Sequence, residues 1–362
     1  MFKNINCKNL PSLRRNIVYQ FLYELLIVFI PLFTIPYVSR VLGAENIGLF
    51  SYTYAVANYF VLFANLGIKN YGSRTIAMVR NNKEELNRNF SEILSIHIIF
   101  SIIVIFVYLV LLFFFVEDNL VIFLIQSIYV FAAVFDINWF FFGIEKFKLT
   151  VGRNTLVKIL SVFLVLVFVK TQTDLWIYAL ILALSVFVGQ SVVWFALKQY
   201  VSWRRPSWAN MKQHIRPLFV LFLPILALSL YKYMDKIMLG NMSSYDQVGF
   251  YNNAEKIINI PMGIITALGT VMLPRMSNIV ANGDKKRVDD YIRISAKLVT
   301  LLSSAIAFGL MGVSSVLAPV FFGDEFIACG DIMRLLSVTV FFIAWANVVR
   351  TQYLIPNRYD NI

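Results

Sequence analysis

Charged residues are scarce in this chain: they make up 14% of its 362 residues, against about a quarter in a soluble globular protein. Histidine and cysteine are scarcer still, with two of each. Cys7 and Cys329 fall near opposite faces of the topology given below, which excludes a disulfide between them, and with two histidines they cannot supply closely spaced zinc ligands. No G-x-x-x-x-G-K-[ST] loop is present, so ATP hydrolysis of that type is excluded. No nucleophile–base pair has a recognisable setting, and neither a cofactor nor a metal is expected. What the chain has in excess is apolar residues, 59%, and aromatic ones, 16%.

A helix needs about twenty apolar residues to cross a bilayer. Segments 17–39, 93–116, 120–143, 175–197 and 295–321 meet that length with few charges inside. This is the sequence of an all-α integral membrane protein. Ten helices are expected, near 16–40, 47–69, 90–116, 119–143, 154–169, 175–197, 217–240, 248–273, 294–321 and 327–350. The basic amino terminus precedes an apolar run too long for a signal-peptide core and without a small-x-small cleavage site, so that run reads as a retained first span. Twenty-six of the thirty-two Lys and Arg fall on the two termini and one set of alternate loops, whereas the opposite loops hold only Lys170. This asymmetry explains the net charge of +12 without nucleic acid, and it predicts that both termini are cytoplasmic.

The chain also repeats itself weakly. "NIGLFSYTYAVANYF" (46–60) parallels "QVGFYNNAEKIINIP" (247–261), with Gly48 matching Gly249, Phe50 matching Tyr251 and Asn58 matching Asn259. Leu42-Gly43 pairs with Leu239-Gly240, and Leu66-Gly67 with Leu268-Gly269. In order, with one loop insertion, these matches predict a six-helix unit used twice in the same membrane orientation, a parallel repeat. Residues 1–200 would form the first lobe and 201–362 an incomplete second lobe of four helices. A complete second copy would run to about residue 400 by the same offset, so at least two helices are expected to be missing.

Three segments carry a resemblance: "IPYVSRVLGAENIGLFSYTYAVANYFVLFANLGIKNYGSR", "FDINWFFFGIEKFK" and "TQYLIPNR". The chain resembles Wzx-type flippases of O-antigen, capsule and exopolysaccharide repeat units. These belong to the multidrug/oligosaccharidyl-lipid/polysaccharide superfamily, with MATE exporters and the lipid II flippase. The resemblance implies a two-lobed, MATE-like fold in the bacterial cytoplasmic membrane and alternating access around a central, often cationic, cavity. It implies an undecaprenyl-pyrophosphate-linked oligosaccharide as substrate, and a polysaccharide polymerase and chain-length regulator as partners. Members usually have twelve to fourteen spans, so this chain departs from the family by stopping at ten.

Polar residues inside spans are the candidate site, because lipid is a costly neighbour for charge. Ser229, Lys232, Asp235 and Lys236 fall on one helical stripe. The stripe reads either as a Lys–Asp pair joining helices beside a snorkelling lysine, or as a cationic wall for the pyrophosphate that the resemblance implies. Lys256 lies on a stripe with Asn252, Asn259 and Gly263. Arg40 sits at the depth of Lys236 in the other copy, and Arg334 lies one turn from Asp331, its candidate intrahelical partner. Arg40, Lys232, Lys236, Lys256 and Arg334 are therefore candidate pyrophosphate contacts. Glu24, on a stripe with Gln20, and Asp235 are ion-coupling candidates; helix–helix hydrogen bonding is the alternative for both. Asp136 reads as structural, and His97 as a satisfied interhelical donor. Tyr54, Asn58 and Asn259 are candidate sugar contacts, although the same residue types also pack helices. A membrane polymerase or glycosyltransferase would present catalytic residues on a large outer loop, and these loops are short. A MATE-like drug exporter would favour an acidic, aromatic cavity over these cations. A scaffold role in the assembly complex is favoured by nothing in the sequence.

Overall fold

The computed structural model describes residues 10–357 and Tyr359, with side chains from Ile30 onward except at nine helical positions between 147 and 285. The described residues form α1 (Leu10–Asn65), α2 (Ile68–Val79), α3 (Lys83–Phe115), α4 (Leu120–Val134), α5 (Asn138–Gly143), α6 (Phe147–Phe168), α7 (Leu175–Leu197), α8 (Trp208–Met242), α9 (Tyr245–Ala281), α10 (Lys285–Phe322) and α11 (Cys329–Val348). No strand occurs among them. Eight helical stretches are long and apolar enough to cross a membrane. That count treats both arms of α1 as one stretch and leaves out α9, which reconciles it with the ten helices expected.

Several boundaries differ from expectation for local reasons. The "GAEN" connection is not a loop. Gly43 alone (φ 78, ψ 172) breaks α1 into arms 10–42 and 44–65, a conformation that glycine adopts without side-chain strain. The expected basic loop after residue 69 contains the amphipathic α2, set off by Gly67 at φ 71. The fifth span starts at Phe147 rather than near Lys158. A helix tolerates Arg153 there because its guanidinium reaches the Gly189 carbonyl at 2.7 Å and Asn138 Oδ1 at 3.0 Å. α9 continues to Ala281 through the expected loop, so Gly269 is helical whereas Gly67, its match in the first copy, turns the chain.

Many large apolar side chains point outward and small residues fill helix crossings, a pattern of helices packed in lipid, while Phe140, Phe141 and Phe322 are buried in the cores. Phe113 and Phe195 are each 82% exposed, while Ala44, Ala55, Ala57 and Ala64 are fully buried. Small residues let the 44–65 arm of α1 cross α9 at backbone contact. A Cβ on Gly48 would overlap the Tyr245 carbonyl oxygen, and a Cβ on Gly249 would overlap that of Ala44. The contact is reciprocal at a separation of 201 residues, the offset read from the sequence.

The connections fall on two faces. One face carries the basic connections and α2; the other carries the Gly43 break, residues 169–174 and residues 323–328. On this short-loop face the two halves of the chain are tied together. Arg40 Nη2 donates to the Val320 carbonyl at 2.6 Å, and the Ala44 N–H, first donor of the 44–65 arm, is capped by Glu325 Oε1 at 2.8 Å. Loss of such a cap costs about 1 kcal/mol. Glu325→Ala is therefore expected to loosen this face about fivefold. Faster maleimide labelling of buried Cys329, in a Cys7→Ser background, would register the change.

Candidate functional site

The 44–65 arm, α4, α5, α6 and α7 enclose a cleft of about 470 Å³. Helical spacing builds its walls. Asn154, Lys158 and Ser161 stand at i, i+4 and i+7 on α6, and Leu182, Ser185 and Gly189 at i, i+3 and i+7 on α7. Phe50 and Tyr54, one turn apart, stack at 5.7 Å, and Tyr54 meets the edge of Tyr129 at 5.1 Å. Arg153 and Lys158 also line the cleft, and no acidic residue does among the described residues. Gln190 on the same wall has a buried Oε1 without a hydrogen-bond partner.

Phe50, Ser161 and Leu182 are shared with a smaller chamber of about 80 Å³. Its polar wall is Thr34, Ser39, Ser161, Tyr178, Asn253 and Lys256. Asn253 donates to Ser39 Oγ at 2.8 Å, and its buried Oδ1 is unpaired. Lys256 has no hydrogen bond or ion pair among the described residues. The chamber thus holds a cation and an amide with unused capacity, separated from the cleft by an aromatic wall of Phe50 against Tyr178 at 4.9 Å. Chemically, such a site suits an anion with a polar body. Among the described residues, no group of three His, Cys, Asp or Glu is placed to hold a metal.

The five candidate cations do not converge. Only Lys256 lines the chamber. Lys236 is neutralised by Glu255 Oε2 at 2.6 Å across α8 and α9. Lys232 is exposed, with its ammonium 5.4 Å from the Tyr233 ring centroid. Arg40 is engaged on Val320, and exposed Arg334 faces Asp331 at 3.9 Å, the intrahelical pair foreseen as its alternative. The physical reason is that Arg40, Lys236 and Arg334 are each met by a nearby acceptor rather than gathered at one point. Asp235 accepts the Tyr251 hydroxyl at 2.5 Å and so is occupied within the α8–α9 pair. The side chain of Glu24 lies outside the described residues.

Of the sugar-contact candidates, Tyr54 lines the cleft, Asn58 spends its amide on the Tyr54 carbonyl at 2.8 Å, and Asn259 is exposed. Asp136 caps α5 by accepting the Asn138 N–H at 3.1 Å. His97 is fully buried beside Asp136 and the Ala133 backbone, and neither ring nitrogen makes a hydrogen bond of good geometry, contrary to the satisfied donor expected. Arg153, Lys158, Tyr129, Tyr178, Gln190 and Glu325 were not singled out from the sequence. The expected helix 154–169 already contains the stripe of Asn154, Lys158 and Ser161, the signal by which Lys158 could have been found.

The Lys236–Glu255 pair is largely enclosed, with side chains 11% and 25% exposed. Removing one partner of a buried pair strands the other, at a cost of about 3 kcal/mol. Glu255→Gln is accordingly expected to lower the thermal midpoint in detergent, and Lys236→Glu combined with Glu255→Lys to recover most of the loss.

Comparison with known proteins places this geometry. The model of the family described as polysaccharide biosynthesis protein matches residues 13–280. The chain belongs to that family. A protein named "Putative O-antigen transporter" from Escherichia coli (strain K12) is 26% identical over 357 residues, covering 97% of this chain and 85% of that protein. One of the same name from Shigella dysenteriae is 23% identical over 364 residues, covering 97% and 88%. Among solved structures, the inward-facing conformation of a multidrug resistance MATE family transporter of the MOP superfamily matches with a TM-score of 0.64 at 15% identity, covering 92% of this chain and 83% of that one. The all-helical, multi-pass, MATE-like fold expected from the sequence is therefore the fold of this family member.

Proposed function

We propose that the protein moves an oligosaccharide repeat unit, carried on undecaprenyl pyrophosphate, from the cytoplasmic to the outer leaflet of the bacterial inner membrane. The observation that carries this reading is a cleft with Arg153, Lys158 and the tyrosines along it, no acid among its described lining residues, and Lys256 in the chamber behind its aromatic wall. A pyrophosphate requires cations. Sugars suit amides and aromatic faces, and a lipid tail can remain in the bilayer while its head enters a cleft between helices. The relatives named as O-antigen transporters support the cargo class. The cleft bottoms at Phe50 and Tyr178, while Arg40–Val320 and Ala44–Glu325 tie the short-loop face shut. With the basic connections taken as cytoplasmic, this is the state that would admit cargo from inside. Release requires those ties to open, which is alternating access, with chain residues positioning cargo rather than reacting with it. No step needs ATP bound to this chain, and the protein acts as a transporter, not an enzyme. Residues 1–200 and 201–362 serve as the two moving units.

The test is complementation of a bacterium lacking its repeat-unit flippase. Surface polysaccharide should return with this chain, or with it extended by further carboxyl-terminal helices. Failure of both, with normal membrane insertion, would overturn the assignment.

A further inference from the structure

Away from the cleft, at the basic face, a chain of three titratable side chains is sealed between α2, α3 and the beginning of α8. Tyr71 hydroxyl lies 2.6 Å from His214 Nδ1, and His214 Nε2 lies 2.9 Å from Glu92 Oε2. The His214 and Glu92 side chains are only 3% and 1% exposed. The second carboxylate oxygen, Glu92 Oε1, is buried without any hydrogen-bond partner.

Proton arithmetic gives this cluster two distinct states. With a neutral imidazole and an ionised carboxylate it carries one net negative charge in a water-poor setting, with one oxygen unsatisfied. Such a charge is strongly disfavoured. One added proton makes the cluster neutral overall, whichever of the imidazole and carboxylate holds it. The surrounding charges do not substitute for that proton. Arg74 on α2 is within electrostatic reach of Tyr71, but it is exposed, as are Arg88 on α3 and Lys212 and Arg216 on α8. Further along α3, His97 faces Asp136.

The helix that carries His214 is built to let go at this point. Pro217 and Pro224 lie inside α8, and each removes a helix hydrogen bond. On either side of Pro217, α8 docks on the first part of the chain through Met211, Leu218 and Phe222, in one core with Ile68, Phe90 and Trp139. The preceding linker is pinned to α3 as well, with Ser202 N–H on Asn87 and Arg204 N–H on Ser91 Oγ at 3.0 and 2.9 Å. A charged, unsatisfied carboxylate at the centre of this contact is relieved only if α8 lifts and water enters.

We propose that Glu92, His214 and Tyr71 form a one-proton latch that holds the start of α8 against α2 and α3 and releases it when the proton is lost. This proposal does not depend on the cargo.

The experiment uses the full chain in lipid nanodiscs, with Cys7→Ser and Cys329→Ala as background. Nitroxide labels are placed at Met78→Cys on α2 and Gln213→Cys on α8, both exposed positions. A single short distance is expected at about pH 5.5, with a longer one growing towards about pH 8.5, because released and docked states would differ by one bound proton. Glu92→Gln, which is isosteric and does not titrate, should keep the short distance throughout. If Glu92→Gln fails to insert, Glu92→Leu with His214→Leu replaces the pair by apolar residues and carries the same expectation. A distance that ignores pH in the parent protein, or that still responds in these variants, would overturn the latch. Because the measurement requires no cargo, it stands or falls separately from the transport assignment.

Discussion

Gly48→Ala and Gly249→Ala are each expected to remove most of the folded protein, and to do so equally. At both positions the new methyl group would enter a backbone carbonyl of the opposing helix, which has no rotamer with which to escape. The 44–65 arm and α9 must then separate or tilt. Over-packing of a close contact costs about 3 kcal/mol, roughly a hundredfold in the folded-to-unfolded ratio. Loss of the contact also undoes the packing of Ile47 and Leu49 in the core shared with Ala254, Ile257 and Phe322. Gly152→Ala and Gly309→Ala are the controls, since a Cβ there meets nothing within 4 Å. Those two should be neutral or gain up to about 1 kcal/mol from helix propensity. Size-exclusion profiles and melting midpoints in detergent would read all four. A mild effect at Gly48 with a severe one at Gly249 would contradict the reciprocal crossing.

Lys256→Met should do the opposite, sparing the fold and abolishing transport. Lys256 lines the small chamber and makes no hydrogen bond or ion pair among the described residues, so an apolar side chain of similar length removes the charge without opening a cavity. The melting midpoint should hold or rise. Transport should fall about ten- to a hundredfold, the equivalent of losing one hydrogen bond to a charged group at about 1.5–3 kcal/mol. Lys232→Met and Arg334→Met should be much milder, since neither residue lines the cleft or the chamber. Removing Lys256 therefore tests whether it is set apart from the other four cations that sequence alone grouped with it.

The fold was legible because lipid imposes a simple rule on sequence. Long apolar runs described the helices, and the repeat offset of 201 residues paired Gly48 with Gly249, the two glycines at which α1 and α9 prove to cross. Irregular connections were harder to read. Gly43 replaces a loop with a single residue, and its stability rests on Glu325, a carboxylate from far along the chain that no local pattern announces. The site was legible only in part. Span charges were sought, but they do not gather: Lys236 is paired with Glu255 on the adjacent helix, Arg40 is held by a carbonyl, and Lys232 and Arg334 are exposed. The cleft instead recruits Lys158 from the start of the expected fifth helix and Arg153 from a stretch that reads as a basic loop and folds as helix. Which charges are paired is a property of helix rotation, and a periodicity weakly marked by uniformly apolar neighbours does not define it.

The central claim is that lipid-linked sugar enters the cleft and reaches Lys256. A photoreactive residue at Ser161, common to cleft and chamber, tests it directly with a radiolabelled undecaprenyl-pyrophosphate oligosaccharide in nanodiscs. The account predicts strong crosslinking at Ser161 that is lost with Lys256→Met, and little at outward-facing Phe195, which is 82% exposed. Crosslinking at Ser161 no stronger than at Phe195, or unchanged by Lys256→Met, would contradict it.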